Sequence, residues 1–308
     1  MENLKEKIKA IAPSAVFEEN TQVLTVDVDK NELRQLAENL KNDESLAFDY
    51  LQDIIGLDLG DALGTNYRLF STKNNNQALV VKTKTEDREN PALQSVSDLW
   101  QSANLYEREV YDFLGIKFIG HPDLRRLFLR PDWKGYPLRK DYDIESNPIT
   151  LKNESVEEFE GSEKLELDSN GHIKESNFQL FDDKDYVVSF GPQHPSTHGV
   201  LQLRVSLNGE TVKHIDPNFG YIHRGIEKMC ESYTYPKILH LCERLDYLSA
   251  AINRHGFCLC VEKALELEVP ERAVYVRTIF DELTRIASHL LGWASMANDM
   301  GAITAFIY

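Results

Sequence analysis

The chain has 308 residues, of which 42% are hydrophobic and 10% aromatic, enough for real cores and, by length, for about two domains. A formal net charge of −16 excludes nucleic acid as a natural partner, because phosphate contact needs a basic face. Apolar runs stay short of the roughly 18–20 residues of a membrane helix, and Met1 to Lys7 carry no hydrophobic signal region, so an unexported, non-spanning chain is expected.

In chain order, Val23 to Val28 alternates as a strand, and Asn31 is placed to cap a helix through Asn39. Phe48 to Gly56, Tyr67 to Ser71 and Ala78 to Thr83 read as further strands, with Asn74-Asn75-Asn76 as a turn. After Pro91, Ser95 to Phe113 has helical character. Elements in this order predict an α+β domain over residues 1–145, with helices on a mostly antiparallel sheet. Gly56, Gly60 and Gly64 do not have the spacing of a dinucleotide or phosphate loop, so this domain is not expected to bind NAD itself. Acids and arginines mix tightly from Ala103 to Ile116, Gly120 to Leu127 and Gly135 to Tyr142. Ion-paired turn scaffolding fits that mixture better than catalytic carboxylates, which need a pocket.

From Asp143 to Asp185, 13 acidic residues face 4 lysines and no arginine, a local charge of −9. Polar and poor in core formers, residues 146–185 read as an acidic, solvated linker. Residues 186–308 then open with a small antiparallel β element: Tyr186 to Ser189, a loop from Phe190 to Gly199, and Val200 to Val205, followed by an Asn208-Gly209 hairpin turn. Two helices follow, Leu245 to Leu265 and Arg272 to Met296, the second starting at Pro270-Glu271.

The loop Gly191-Pro192-Gln193-His194-Pro195-Ser196-Thr197-His198-Gly199 holds its histidines between glycines and prolines, which limits how they point. Such a loop suits a proton donor aimed at a ligand; equally, its histidines serve as caps for nearby backbone. Zinc ligation by His194 and His198 is disfavoured, since Pro195 and the strand context break the helix that this spacing usually serves. Cys258 and Cys260 point to different sides of a helix, and Cys230 and Cys242 lack a CxxC partner. All four are expected to be buried free thiols, and no metal site is expected.

The histidine loop, with Gly220-Tyr221-Ile222-His223-Arg224-Gly225-Ile226-Glu227-Lys228, Arg244-Leu245-Asp246-Tyr247 and Asp299-Met300-Gly301-Ala302, resembles the D component of respiratory complex I, the proton-pumping NADH:quinone oxidoreductase. The earlier run around Glu107-Arg108-Glu109 resembles the C component, a non-catalytic docking protein of the same complex. The chain is thus similar to a fused C–D subunit carrying the N-terminal portion of D, with the acidic stretch as its joint. The resemblance implies that Arg125, Arg126, Arg139 and Lys140 contact partner subunits. It also implies an α-helical bundle like that of nickel–iron hydrogenase large subunits, incomplete here because D modules run on past Gly301 to Tyr308, and therefore rich in exposed apolar surface. Asp246 and Ser249 stand where those hydrogenases place paired cysteines, and they do not replace thiolates in soft-metal chemistry.

The resemblance further implies a quinone headgroup as substrate. His198 and Tyr247 would hydrogen-bond the two carbonyls, and Asp299 would pair with that histidine. Arg244 would lie near the terminal iron–sulfur cluster of a partner subunit, and His194 would wall the loop with a ligand role. The chemistry is coherent: two electrons and two protons turn a quinone into a quinol, and donors must neutralise charge building on the oxygens. Electrons would come from the small subunit carrying that cluster, since this chain has no flavin or cluster ligands of its own. Membrane-arm partners and a peripheral position on the cytoplasmic side of a bacterial inner membrane complete the expectation. The alternatives are a membrane-bound hydrogenase or formate hydrogenlyase large subunit, and a non-catalytic scaffold.

Overall fold

Apolar side chains at every second position of neighbouring strands lay down the first layer of this fold. A computed structural model describes residues 2–19, 21–74, 77–130, 133–143, 164–177, 181, 184–193 and 199–307. The chain divides into Met1–His223 and Arg224–Tyr308, termed units 1 and 2.

In unit 1, β1 (Val16–Phe17), β2 (Leu24–Asp27), β3 (Tyr50–Asp58), β4 (Leu63–Ser71) and β5 (Gln77–Thr85) form a sheet in the order β1-β2-β5-β4-β3. β2 and β5 run parallel, and the other pairs are antiparallel. Tyr67 and Leu69 on β4 and Leu79 and Val81 on β5 are buried, while Asn66, Arg68, Val80 and Lys82 between them are partly exposed. The strand period of two therefore gives this sheet one well-covered face. α1 (Glu2–Ile11), α2 (Lys30–Asn42) and α3 (Ala103–Leu114) bring Ile8, Leu36, Leu40, Val110 and Leu114 into the same core. Each such side chain contributes roughly 1.5–3 kcal/mol by leaving water. This is the α+β architecture expected of the first domain.

Some boundaries differ from expectation. Asp29, not Asn31, caps α2: its Oδ1 accepts the Asn31 N–H at 2.8 Å, which leaves Asn31 inside the first turn. The helix expected from Ser95 begins only at Ala103. Before it the chain turns tightly, as the N–H groups of Leu99 and Trp100 both reach the Val96 carbonyl. β6 (Ala92–Gln94) and β7 (Lys117–Ile119), on either side of α3, pair in parallel. Within the span expected as a linker, β8 (Lys164–Leu167) and β9 (Ile173–Asn177) make a hairpin. Two leucines anchor it: Leu165 bridges to Leu124 and is buried in the main core, and Leu167 packs against that core.

β10 (Tyr186–Phe190), β11 (Gln202–Asn208) and β12 (Thr211–Asn218) form a three-stranded antiparallel sheet. Asn208 pairs with Thr211, so the turn falls one residue later than expected, on Gly209-Glu210. Gly209 has φ +64°, a region that costs other residues energy.

Unit 2 is helical: α4 (Ile226–Glu231), α5 (Tyr235–Cys242), α6 (Ala250–Ala264), α7 (Glu271–Asp299) and α8 (Ile303–Ile307). Two pairs fix α6 and α7 antiparallel. Glu262 binds Arg277 in a bidentate bridge of 2.5 and 2.8 Å, and His255 Nδ1 meets Asp281 Oδ2 at 2.5 Å. α7 starts after Pro270 as its sequence predicts, but α6 starts five residues later than Leu245. The reason is Asp246, whose carboxylate takes the Leu248 N–H at 3.0 Å and whose carbonyl takes that of Ser249 at 3.0 Å. No described helix is long and apolar enough to cross a membrane.

Candidate functional site

Residues 194–198, and with them His194 and His198, lie outside the described residues. The strands on either side of them are well defined. β10 enters at Phe190, opposite Leu203, and the Gln193 N–H donates to the Gly199 carbonyl at 2.8 Å. Gln202 then ties the neighbouring strands together. Its Nε2 donates to Ser189 Oγ at 3.1 Å, and its Oε1 accepts from Asn218 Nδ2 and the Tyr221 hydroxyl, each at 3.3 Å.

Next in the ladder, Ser189, Arg204 and Asp216 stand opposite one another. Asp216 accepts from Arg204 Nη2 at 2.7 Å and from Arg125 Nη2 at 2.6 Å. Burial pushes the Asp216 carboxyl up, but the Arg125 and Arg204 guanidiniums outweigh it and hold the group below the usual carboxylate range. The motif that follows is also seated on the first domain. The His223 ring stacks on Phe113 with centroids 4.9 Å apart and lies 5.2 Å from Phe128. A Cβ on Gly220 would fall 2.2 Å from the Phe128 carbonyl oxygen, so only glycine fits that approach.

In unit 2, Arg244 and Tyr247 occupy the turn between α5 and α6, and both are exposed. Tyr247 is 79% exposed, which leaves its hydroxyl open to a ligand or to another chain. Glu243, next to Arg244 in the sequence, pairs with Arg254 at 3.3 Å and with His240 at 3.6 Å. Asp299 is the last residue of α7 and is exposed. Cys230, Cys242 and Cys258 are partly buried free thiols, and Cys260 is exposed rather than buried as expected, because it lies on the open side of α6. Burial raises the Cys230 and Cys242 thiols above their ordinary range. Among the described residues, no three His, Cys, Asp or Glu side chains gather as a metal site.

The acid–arginine run of the first domain is internal scaffolding. Asp112 is fully buried, and its Oδ2 accepts the N–H groups of Leu127, Phe128 and Leu129 at 2.7–3.0 Å while its Oδ1 takes Arg126 at 2.9 Å. Glu107, also enclosed, accepts from Ser95 Oγ and the Val96 N–H at 2.6 and 2.7 Å. Burial raises its pKa to about 8, and lowers that of His121, whose Nε2 lies 4.0 Å away, to about 4.

Three of the residues expected to contact partner subunits, Arg125, Arg126 and Arg139, have partners within this chain. Arg125 holds Asp123 and Asp216, and Arg126 also donates to the Trp133 and Gly135 carbonyls. Arg139 donates to the Leu114 carbonyl at 2.7 Å and lies over the Tyr136 ring; Lys140 alone of the four is exposed. Sequence reading missed Asp216 and Gln202. Their only signal was a charge and an amide placed in strands that cross-strand register brings beside Arg204 and Ser189.

Comparison with known proteins adds to this geometry. The family model for the respiratory-chain NADH dehydrogenase, 30 Kd subunit, matches residues 26–148. A C/D subunit of NADH-quinone oxidoreductase from Phocaeicola vulgatus is 53% identical over 272 residues, covering 88% of this chain and 52% of its own length. Proteins of the same name from Bacteroides thetaiotaomicron and Sulfurihydrogenibium sp. are 51% identical over 281 residues and 34% identical over 312, covering 87% and 94% of this chain. The chain spans about half the length of the curated relatives it matches, 52% in each of these three.

Proposed function

The chain belongs to the family of NADH-quinone oxidoreductase C/D subunits, and we propose that it supplies part of the quinone-reduction site of that complex. The observation that carries this reading is the similarity of nearly the whole chain to proteins bearing that name. In this reading residues 1–145 are a C-like docking domain, 146–185 an acidic joint, and 186–308 the N-terminal part of a D-like domain with a hydrogenase-like bundle. His198 and Tyr247 donate hydrogen bonds to the two quinone oxygens, and Asp299 favours the protonated imidazole and orients it. His194 walls the headgroup. Arg244 supplies positive charge where electrons arrive from a partner's iron–sulfur cluster, and membrane-arm partners use the energy released to move protons. The exposure of Tyr247 supports a role that a partner subunit completes. The relatives do not favour a hydrogenase-type large subunit.

Tyr247→Phe tests the reading. It keeps the ring and removes one donor, so quinone reduction by membranes carrying the variant should fall about tenfold to a hundredfold. Hexacyanoferrate reduction, which takes electrons upstream, should persist. Unchanged quinone reduction would remove Tyr247 from the site and move the scaffold reading ahead.

A further inference from the structure

The β8–β9 hairpin lies in the stretch that composition marks as a solvated joint, yet its turn is built from within. Asp168 Oδ1 accepts the N–H groups of Asn170 and His172 at 2.8 and 2.9 Å. The Asp168 N–H donates to the His172 carbonyl at 2.9 Å, and the Gly171 N–H to the Asp168 carbonyl at 3.1 Å. On β8, Glu166 is exposed, whereas Leu165 and Leu167 on either side of it pack toward the core of the first domain. A two-stranded hairpin alone is at best marginal in water, so this one depends on what it sits against.

Its seat is the parallel pair β6–β7 and the loop that follows. Gly171 has φ +81°, and a Cβ there would lie 2.3 Å from the Cβ of Ala92 on β6, so the turn enters only as glycine. Lys117, opposite Ala92 on β7, donates its amine to the Gly171 carbonyl at 3.2 Å and to Asn90 Oδ1. An ammonium only donates, so Asn90 turns its amide nitrogen to His172 Nδ1 at 3.2 Å. At the other end of the hairpin, the Leu165 N–H donates to the Leu124 carbonyl at 2.8 Å. The residue after Leu124 is Arg125, which holds Asp216 of β12 at 2.6 Å. One loop of the first domain thus receives both the hairpin and the three-stranded sheet, through adjacent residues.

We propose that this hairpin is a docking module and that Asn90, Ala92, Lys117 and Leu124 form its receptor. The partner this surface fits is a tight β-turn with glycine against Ala92, a carbonyl for the lysine amine, and apolar residues at alternate positions of one strand. The hairpin, and not covalent continuity through the acidic stretch, holds the first domain to the chain that follows. No residue of the quinone reading takes part.

The test cuts the full chain after it has folded, at a protease site inserted either after Asn153, ahead of the hairpin, or after Gln179, behind it. Contacts such as Arg125 with Asp216 span both cuts, so the two differ only in which piece keeps the hairpin. Dilution followed by size-exclusion chromatography gives the Kd of the two pieces. It should be at least about tenfold lower for the cut after Asn153, which alone leaves Leu165 and Leu167 buried across the break. Lys117→Met should raise Kd about threefold to tenfold in the chain cut after Asn153. The same substitution should change nothing in the chain cut after Gln179, where hairpin and receptor share one piece. A general loss of stability would move both. Equal Kd for the two cuts overturns the proposal, and so does a Lys117→Met effect that is absent or the same in both. If the chain with the site after Gln179 does not fold, an unchanged Kd for Lys117→Met in the other chain overturns it instead.

Discussion

In unit 1, Ile8, Leu36, Leu40, Phe48 and Phe118 are fully enclosed, whereas on α7 of unit 2 Tyr275, Ile279, Phe280, Leu283, Leu290 and Trp293 are each more than half exposed. The polar groups divide the same way. Unit 1 encloses Glu107, Arg108, Asp112, Arg125 and Asp216, while the pairs of unit 2, such as Arg285 with Glu282 at 3.3 Å, lie near water. Among the described residues, unit 2 buries only Ile238, Leu241, Ala294 and Ala297 of its apolar residues. Both units carry apolar residues at the right period, so the difference is not one of pattern. Periodicity says that a face is to be covered, but not which chain covers it. Unit 1 meets its own demand; the α7 stripe presents an apolar surface of the kind that marks an interaction site.

The contrast breaks first at Asp112 if it breaks at all. Its carboxylate serves three consecutive backbone N–H groups and Arg126 without contact to solvent. Asp112→Ala leaves those donors unsatisfied and takes the carboxylate away from Arg126, a loss of about 3–5 kcal/mol. Denaturant unfolding followed by hydrogen exchange of unit 1 amides should show it. A loss below about 1 kcal/mol would mean that water reaches the site and that unit 1 is looser than its burial indicates.

What the sequence discloses follows the same line. β2, β4, β5 and the start of α7 are legible because alternation, helical period and Pro270 are local signals. The choice of Asp29 over Asn31 is not, since both are good caps and backbone geometry alone decides. The delayed start of α3 depends on Glu107 reaching back 11 residues to Val96, and the clasp at Asp216 spans 91. The 164–177 hairpin rests on Leu165 and Leu167 in an acidic stretch, too weak a signal against composition. For the candidate site, Tyr247 and Asp299 are proposed from the order of separated motifs alone. The internal use of Arg125 and Arg139 is not legible in sequence, because an arginine's partners are set by tertiary contacts.

Titration sharpens the comparison further. Glu107 holds its proton up to about pH 8 in the folded chain, against an ordinary value of 4.5. The folded state therefore binds more protons across that window, and stability falls as pH rises through it. His121, depressed from 6.5 to about 4, acts with the opposite sign between those values. The two oppose each other below about pH 6.5, so the Glu107 effect emerges between 6.5 and 8. Unit 1 should lose on the order of 1–2 kcal/mol over that interval. Glu107→Gln should flatten the unit 1 profile. A slope that survives the substitution would assign the proton to another group.

The smallest effect is expected on the α7 stripe. Leu283 is 57% exposed, so replacing it removes little apolar surface from a dry environment. Leu283→Ser should change the unfolding free energy of this chain by less than about 0.5 kcal/mol, the ordinary range for surface substitutions. A buried leucine such as Leu36 should cost about 2–5 kcal/mol on truncation to alanine, because transfer and cavity costs add. Leu283→Ser should nonetheless reduce self-association at raised concentration, since it interrupts the stripe between Phe280 and Ile286. Light scattering and denaturant unfolding on the same sample separate the two quantities. A folding cost above about 2 kcal/mol would show that the stripe is already engaged within this chain, and the two units would then differ in degree rather than in kind.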